Sequence, residues 1–153
     1  MCNSKLILTL TFLAGAVAQT ALAQTTITIS RNFSYTPVGL AISETMQLNV
    51  VNLAENPSTG LAASCTGSFS FYNAAGTLIG TSTPFTATAG ETQSVTLTLA
   101  KAGITGTRAE IRAVIQTTTP EGRNAPPCSL ESSLETFDST SGATHAYLSS
   151  PAF

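Results

Sequence analysis

The chain has 153 residues and a formal net charge of −2; 9% of its residues are charged and 42% are hydrophobic. Six Lys and Arg residues form no basic patch, which argues against nucleic-acid binding by phosphate neutralisation. The hydrophobic content is too high for a disordered linker. Because 26 Thr and 17 Ser residues supply most of the polar character, the composition favours strands over surface helices.

The N-terminal segment predicts a secretory signal. Lys5 precedes an apolar run over 6–17, and Ala21-Leu22-Ala23 has the small-residue pattern of a cleavage site. The apolar run is shorter than the roughly 20 residues that a helix needs to cross a bilayer. We therefore predict a signal-peptide helix at 1–23 and a secreted or periplasmic chain from Gln24 that does not insert into the membrane after cleavage.

Alternating apolar and polar residues, broken by Gly, Pro and Asn turns, predict one all-β domain over residues 24–148. In chain order, strands are predicted at 26–34, 46–53, 65–72, 77–82, 93–99, 108–117, 129–137 and 144–148. The stretch Thr36-Pro37-Val38-Gly39 is predicted to interrupt the sheet, and residues 149–153 are predicted to form a flexible tail.

The spacing of these strands favours an immunoglobulin-like antiparallel β-sandwich of seven to nine strands with one disulfide. The alternative is a membrane barrel, which needs girdles of interfacial aromatic residues. The chain has three Tyr and no Trp, and Pro151 would interrupt a terminal strand, so we favour the sandwich. The Trp that packs on the disulfide of antibody domains is also missing, so only the architecture is predicted.

Several strands show which of their faces should be buried. The residues expected to face the core are Met46, Leu48 and Val50; Cys65, Phe69 and Phe71; Val95, Leu97 and Leu99; Ala109, Ile111, Ala113 and Ile115; and Leu130, Leu134 and Thr136.

Two cysteines, Cys65 and Cys128, remain once Cys2 leaves with the signal. In an oxidising compartment such a pair usually forms a disulfide. Immunoglobulin lettering places strands 65–72 and 129–137 on either side of strand 108–117, about 9–10 Å apart. A disulfide needs Cα atoms within about 7 Å. Either the bridge arches over the end of strand 108–117, or the lettering is wrong. Because both cysteines open their strands, we favour the arch.

This bridge would tie together the bases of two long loops, at 54–64 and 118–127. The corresponding loops of antibody variable domains bind antigen, an analogy that rests on the fold alone. The candidate binding residues in these loops are Glu55, Asn56, Ser58, Glu121, Arg123 and Asn124.

Histidine-based catalysis has little support in the sequence. His145 is the single His and Asp138 the single Asp, and they lie on opposite sides of one short predicted hairpin. No Gly-x-Ser-x-Gly motif is present to carry a nucleophile. His145 is therefore interpreted as a surface residue of the last strand.

Paired carboxylates offer no better route to hydrolysis. Glu131 and Glu135 lie on one outward strand face, about 13 Å apart, too far for a glycosidase pair. We expect them to form cross-strand ion pairs with Arg108 and Arg112 on a neighbouring strand.

Ligands for metals and cofactors are also missing from the pattern. The sequence has no Cys-x-x-Cys, no His pair, no Asp-rich loop and no glycine-rich phosphate loop. We therefore predict that the protein has no catalytic, cofactor-binding or metal-binding residue and that it is not an enzyme.

Seven stretches of the sequence carry a resemblance to known proteins. They are Leu48-Asn49-Val50-Val51-Asn52, Cys65, Phe69-Ser70-Phe71-Tyr72-Asn73-Ala74-Ala75-Gly76, Ala89-Gly90-Glu91, Arg108-Ala109-Glu110-Ile111-Arg112-Ala113-Val114, Cys128-Ser129-Leu130 and Leu134-Glu135-Thr136-Phe137-Asp138. Together they resemble a set of small exported bacterial proteins with no assigned function. The resemblance covers residues 40–148. It implies a one-domain β-sandwich with a disulfide and brings no known activity.

The favoured function is a non-catalytic exported module that binds a protein or glycan partner or contributes to the cell surface. The alternative is a subunit of a surface fibre that assembles by strand exchange, with segment 25–34 as the donated strand. A hydrolase ranks third because its catalytic groups are missing.

Overall fold

The computed structural model describes residues 27–54, 64–121 and 128–150, with the backbone alone at 27–28 and 119–121. These residues form nine strands: β1 (Ile27–Ser34), β2 (Val38–Ala41), β3 (Glu44–Asn52), β4 (Cys65–Asn73), β5 (Leu78–Ala87), β6 (Thr92–Thr98), β7 (Arg108–Glu121), β8 (Leu130–Asp138) and β9 (Thr144–Ser150). None of the described residues belongs to a helix long and apolar enough to cross a membrane.

The strands form two antiparallel sheets. Sheet A has the order β1-β7-β4-β5, and β2 also pairs with β7. Sheet B has the order β6-β3-β8-β9. The first two strands share one edge, because β1 pairs with residues 114–121 of β7 and β2 with residues 108–111. The interruption between them is shorter than predicted and contains Pro37, which has no N–H to donate to the ladder.

The core lies between the two sheets, and most of the predicted inward faces are confirmed. Met46, Leu48 and Val50 of sheet B are buried, as are Phe69 and Phe71 of sheet A. The longest strand, β7, buries Ile111, Ala113 and Ile115. Val95 and Ala109 are half-buried and pack against this core. Because one face of these strands is buried, a shift of one residue in the pairing would turn the apolar side chains toward solvent, so the register is strongly specified.

Strand β5 continues five residues beyond its predicted end at Ser82. Its pairing with β4 shifts between Phe69 and Phe71, where β5 bulges and Gly80 takes a positive φ of 67°. Pro84 is accepted because β5 is an edge strand, where a missing N–H breaks no ladder bond. The bulge and the proline hid the second half of this strand from the alternation pattern.

The last strand is also longer than predicted, and two of the five residues assigned to the tail belong to β9. Ser150 is buried and pairs with Ser132 of β8. The Oγ atoms of these two serines lie 2.8 Å apart, and the Ser132 Oγ is 2.7 Å from the hydroxyl of Tyr35, which directly follows β1 of sheet A. Burial raises the pKa of this tyrosine. A hydroxyl chain between the sheets therefore holds the end of β9.

The predicted Cys65–Cys128 disulfide is confirmed, with Cα atoms 5.4 Å apart. Its predicted path was wrong. Cys65 opens β4 in sheet A, whereas Cys128 directly precedes β8, which pairs with β3 in sheet B and not with β7. The bond thus joins the two sheets, and the lettering that put strand 129–137 beside strand 108–117 fails. Alternation shows which face of a strand is buried but not which sheet the strand joins.

The predicted ion pairs between strands β7 and β8 fail for the same reason. Glu131 and Glu135 face outward from sheet B, and Arg108 and Arg112 face outward from sheet A. The buried core therefore separates the two glutamates from the two arginines, since face-to-face sheets pack about 10 Å apart. Arg108 pairs with Glu110 of its own strand at 3.4 Å instead.

Candidate functional site

The end of the sandwich that carries the disulfide is held by a buried asparagine. Asn52, fully buried at the end of β3, donates from Nδ2 to the Ala87 carbonyl at 3.0 Å. Its Oδ1 accepts from the Ala54 N–H at 3.0 Å. The Leu53 N–H donates to the carbonyl of Ser129 at 2.8 Å. These bonds and the disulfide fix the chain on both sides of the 55–63 segment and at the start of β8.

The predicted loop surface stays a prediction. Five of its candidate residues lie outside the described part of the chain: Glu55, Asn56, Ser58, Arg123 and Asn124. The sixth, Glu121, is described by its backbone alone and lies in β7, not in a loop, where it pairs with Ile27. The predicted start of the loop at 118 is therefore wrong, because pairing with β1 extends β7 to Glu121.

The outer face of sheet B presents rows of polar side chains that sequence reasoning did not single out. Because Met46, Leu48 and Val50 point inward, the alternate residues of β3 and their register partners point outward. We call this surface the Asn49 face. Its three rows are Thr96, Gln47, Glu135 and Tyr147; Ser94, Asn49, Ser133 and Ser149; and Thr92, Val51 and Glu131.

A hydrogen-bond network spans three strands at the centre of this face. The Asn49 Oδ1 accepts from Gln47 Nε2 at 2.8 Å and from the Ser94 hydroxyl at 2.6 Å. The Asn49 Nδ2 donates to the Ser133 hydroxyl at 3.2 Å. These contacts hold the four side chains in place before any ligand arrives, which lowers the entropy cost of binding.

Tyr147 adds an exposed aromatic ring to the polar face, with 62% of its surface accessible. A shallow depression of about 260 Å³ lies beside it, lined among others by Asn49, Thr92 and Glu131. This volume is below the roughly 300–1,000 Å³ of pockets that enclose small molecules. The face therefore suits a ligand that lies flat against the sheet.

The charge of the Asn49 face is negative. Glu131 and Glu135 are its two charged residues, and the rows defined above contain no Lys or Arg. An anionic ligand would meet like charge there, whereas hydroxyl and amide groups can bond to the amides, hydroxyls and carboxylates of the face.

A second polar cluster lies on the β2–β9 side of the sandwich, where His145 occupies a bulge in β9. The register between β8 and β9 shifts between Thr136 and Phe137, which leaves His145 as the extra residue. Its Nδ1 bonds to a carboxylate oxygen of Glu44, and the other carboxylate oxygen accepts from the Ala41 N–H at 2.7 Å. The Ala41 N–H, and then the His145 bond, lower the pKa of Glu44.

Asp138 stabilises the turn between β8 and β9. Its Oδ1 accepts from the N–H groups of Thr140 and Ser141 at 3.0 and 2.7 Å. The Ser141 N–H and hydroxyl are the main reasons why the pKa of Asp138 is low.

The structure joins His145 to Glu44, a partner that the sequence did not predict. Within the described ranges, no group of three or more His, Cys, Asp and Glu residues is placed to hold a metal.

Comparisons with known protein families, with curated proteins and with solved structures find no match to this chain. The resemblance to small exported bacterial proteins therefore stays a prediction.

A weak signal for the Asn49 face was present in the sequence. Outward positions of the strands at 46–53 and 129–137 carry amides, carboxylates and hydroxyls, and Tyr147 is an aromatic residue at an outward position of the last strand. The strand order that gathers these residues on one surface was not predictable from alternation.

Proposed function

We propose that this protein is an exported, non-catalytic β-sandwich module that binds a neutral glycan on the Asn49 face. The observation that carries the proposal is the exposed Tyr147 ring beside the ordered Asn49 network, on a surface with carboxylates but no cations. We further assign the sandwich an immunoglobulin-like architecture in the broad sense of two packed antiparallel sheets, with the β3–β8 pairing as its departure from the usual lettering.

The chemistry of a sugar ring matches this surface. One side of a pyranose presents apolar C–H groups that pack on an aromatic ring, and its hydroxyls donate to and accept from amides and carboxylates. Tyr147 lies across from Glu135 in the register of β8 and β9, so a sugar stacked on the ring is within reach of acceptors in the same row.

Export is supported by two independent features. The signal-like segment at 1–23 has the charge, length and cleavage pattern of secreted proteins. The Cys65–Cys128 disulfide suits an oxidising compartment, where such bonds form and persist.

Affinity electrophoresis tests the glycan proposal directly. Neutral polymers such as β-1,3-glucan, xylan and mannan are cast in native gels, with acidic polygalacturonate as the charged comparison. We expect retardation by at least one neutral polymer. Tyr147→Ala should remove roughly 2 kcal/mol of binding free energy, or about 30-fold in Kd, as loss of a central aromatic contact typically does.

The matched control is Tyr72→Ala on the outer face of sheet A, where the Tyr72 ring lies 5.0 Å from the Arg112 guanidinium. This variant should bind as the wild type does. Retardation by polygalacturonate alone, or retardation that Tyr147→Ala leaves unchanged, would contradict the proposal.

A surface-fibre subunit that assembles by strand exchange is the second candidate. It is favoured by two observations: among the described strands β1 pairs with β7 alone, and Pro37 lies between β1 and β2. Exchange between copies predicts an open series of oligomers that come apart only on unfolding. A single discrete species in mass photometry would contradict this candidate.

A further inference from the structure

Edge strands expose unpaired main-chain groups, and proteins protect them with prolines, bulges, charges or short length. The edges of this sandwich differ in this respect. Strand β5 has Pro84 and the bulge at Gly80, and β9 has the bulge at His145. The edge formed by β1 and β2 is broken at Pro37.

The edge formed by β6 has none of these protections. Strand β6 makes seven consecutive register pairs with β3 without a shift, and it contains no proline and no charged residue. Among the described strands it pairs with β3 alone. Its outward residues carry hydroxyl groups and include the exposed Ser94 and Thr96. A straight, uncharged strand of this kind is a template for another strand.

We propose that β6 pairs antiparallel with β6 of a second copy of this chain, about a two-fold axis at Thr96, to form a continuous eight-stranded sheet from two B sheets. Such an interface is self-complementary, as a two-fold dimer requires. In this register Ser94 of each copy lies opposite Thr98 of the other, and hydroxyl pairs of this type stabilise antiparallel strands.

The charges beside β6 favour this orientation. Glu91 precedes the strand by one residue and the exposed Lys101 follows it by three. Antiparallel pairing centred on Thr96 brings Glu91 of one copy to the same end of the interface as Lys101 of the other, twice in the dimer. Surface ion pairs add little affinity, but they select the antiparallel arrangement over the parallel one. With a net charge of −2 per chain, two copies repel each other weakly.

The dimer does not depend on glycan binding, although it would join the two Asn49 faces. The row that contains Thr96 would continue across the axis and end in Tyr147 on both sides. Seven strand spacings separate these two tyrosines, which is about 33 Å. An extended ligand would then meet two binding faces on one surface of the sheet.

Light scattering coupled to size exclusion tests the dimer with the full chain and without any glycan. We expect a mass of two chains for the wild type. Thr96→Lys places like charges opposite each other at the axis and should weaken dimerisation by at least about tenfold. The matched control, Thr86→Lys on the exposed outer side of β5, should leave the dimer intact.

A charge-pair experiment tests the register. Thr96→Lys and Thr96→Glu should each dimerise at least about tenfold more weakly than the wild type, and an equimolar mixture should recover a dimer that contains one of each, because opposite charges then meet at the axis. Circular dichroism confirms that each variant is folded. A monomeric wild type at millimolar concentration overturns the proposal. A Thr96→Lys variant that dimerises as tightly as the wild type, or a mixture that dimerises no more tightly than either variant alone, also overturns it.

Discussion

Removal of the disulfide should cost this domain much of its stability. Cys65 and Cys128 are 63 residues apart in the chain, and their bond restricts the unfolded state more than the folded one. A loop of this length corresponds to about 4 kcal/mol in the chain-entropy model. Domains of this size have a free energy of unfolding of only about 5–15 kcal/mol, so a variant without the disulfide loses a substantial fraction of it.

The double variant Cys65→Ala, Cys128→Ala should nevertheless fold. The hydrogen bonds of Asn52 hold the same end of the sandwich, and the core between the sheets keeps its larger buried side chains, such as Leu48 and Ile111, when the sulfur of the buried Cys65 is removed. A loss of 4 kcal/mol should lower the midpoint of thermal unfolding by about 12–20 °C for a domain of this size. The stability change acts mainly through the unfolded state, so the native spectrum should be unchanged.

Urea unfolding of wild type and double variant, each with and without reductant, measures the effect. Reduced wild type should match the double variant, and reductant should leave the double variant unchanged. The slope of free energy against urea should rise when the bond is absent, because the unfolded chain then expands further. A difference below about 1 kcal/mol between oxidised and reduced wild type would refute the reasoning.

Two further predictions concern single side chains. Gly67→Ala should destabilise the fold by about 1–3 kcal/mol in urea, because its Cβ would overlap the main-chain oxygen of Gln116 in the neighbouring strand. Gly39→Ala is the matched control and should change stability by less than about 0.5 kcal/mol, since the three atoms nearest to the added Cβ all belong to the exposed Arg108 side chain, which can move away. The pKa of Glu44 is lowered in the folded state, so its carboxylate stabilises the fold above its ordinary pKa of about 4.5 and loses that effect as pH falls through the folded value. Stability measured from pH 5 to pH 3 should therefore fall less steeply in Glu44→Gln than in the wild type; parallel curves would contradict this assignment.

Burial of strand faces was predictable because it follows a local rule. A strand with one face in the core alternates with period two, and Ile111 and Leu134 are buried as that rule requires. The rule needs length, however, and β2 has four residues after a proline. The rule also needs a regular strand, and the bulge at Gly80 interrupts the alternation of β5.

The pairing of strands was not predictable by the same route. Strands β7 and β8 have equivalent patterns, yet one lies in sheet A and the other in sheet B. The predicted ion pairs depended on this choice and failed with it. The candidate site depends on it too, because Asn49 meets Ser94 and Ser133 only when β6 and β8 flank β3. The partner of His145 lies 101 residues away in the chain, beyond the reach of any local pattern.

The same topology separates stability from the proposed binding functions. Asn52, Gly67 and the disulfide act between the sheets or within the core, so their substitution changes the free energy of unfolding. Tyr147 and Thr96 are exposed on the outside of sheet B, where substitutions usually shift stability by no more than about 0.5 kcal/mol. Loss of glycan retardation in Tyr147→Ala, or of the dimer in Thr96→Lys, therefore cannot be attributed to unfolding when the urea midpoint is unchanged. The unfolding curve of each variant thus decides whether a lost function belongs to the surface or to the fold.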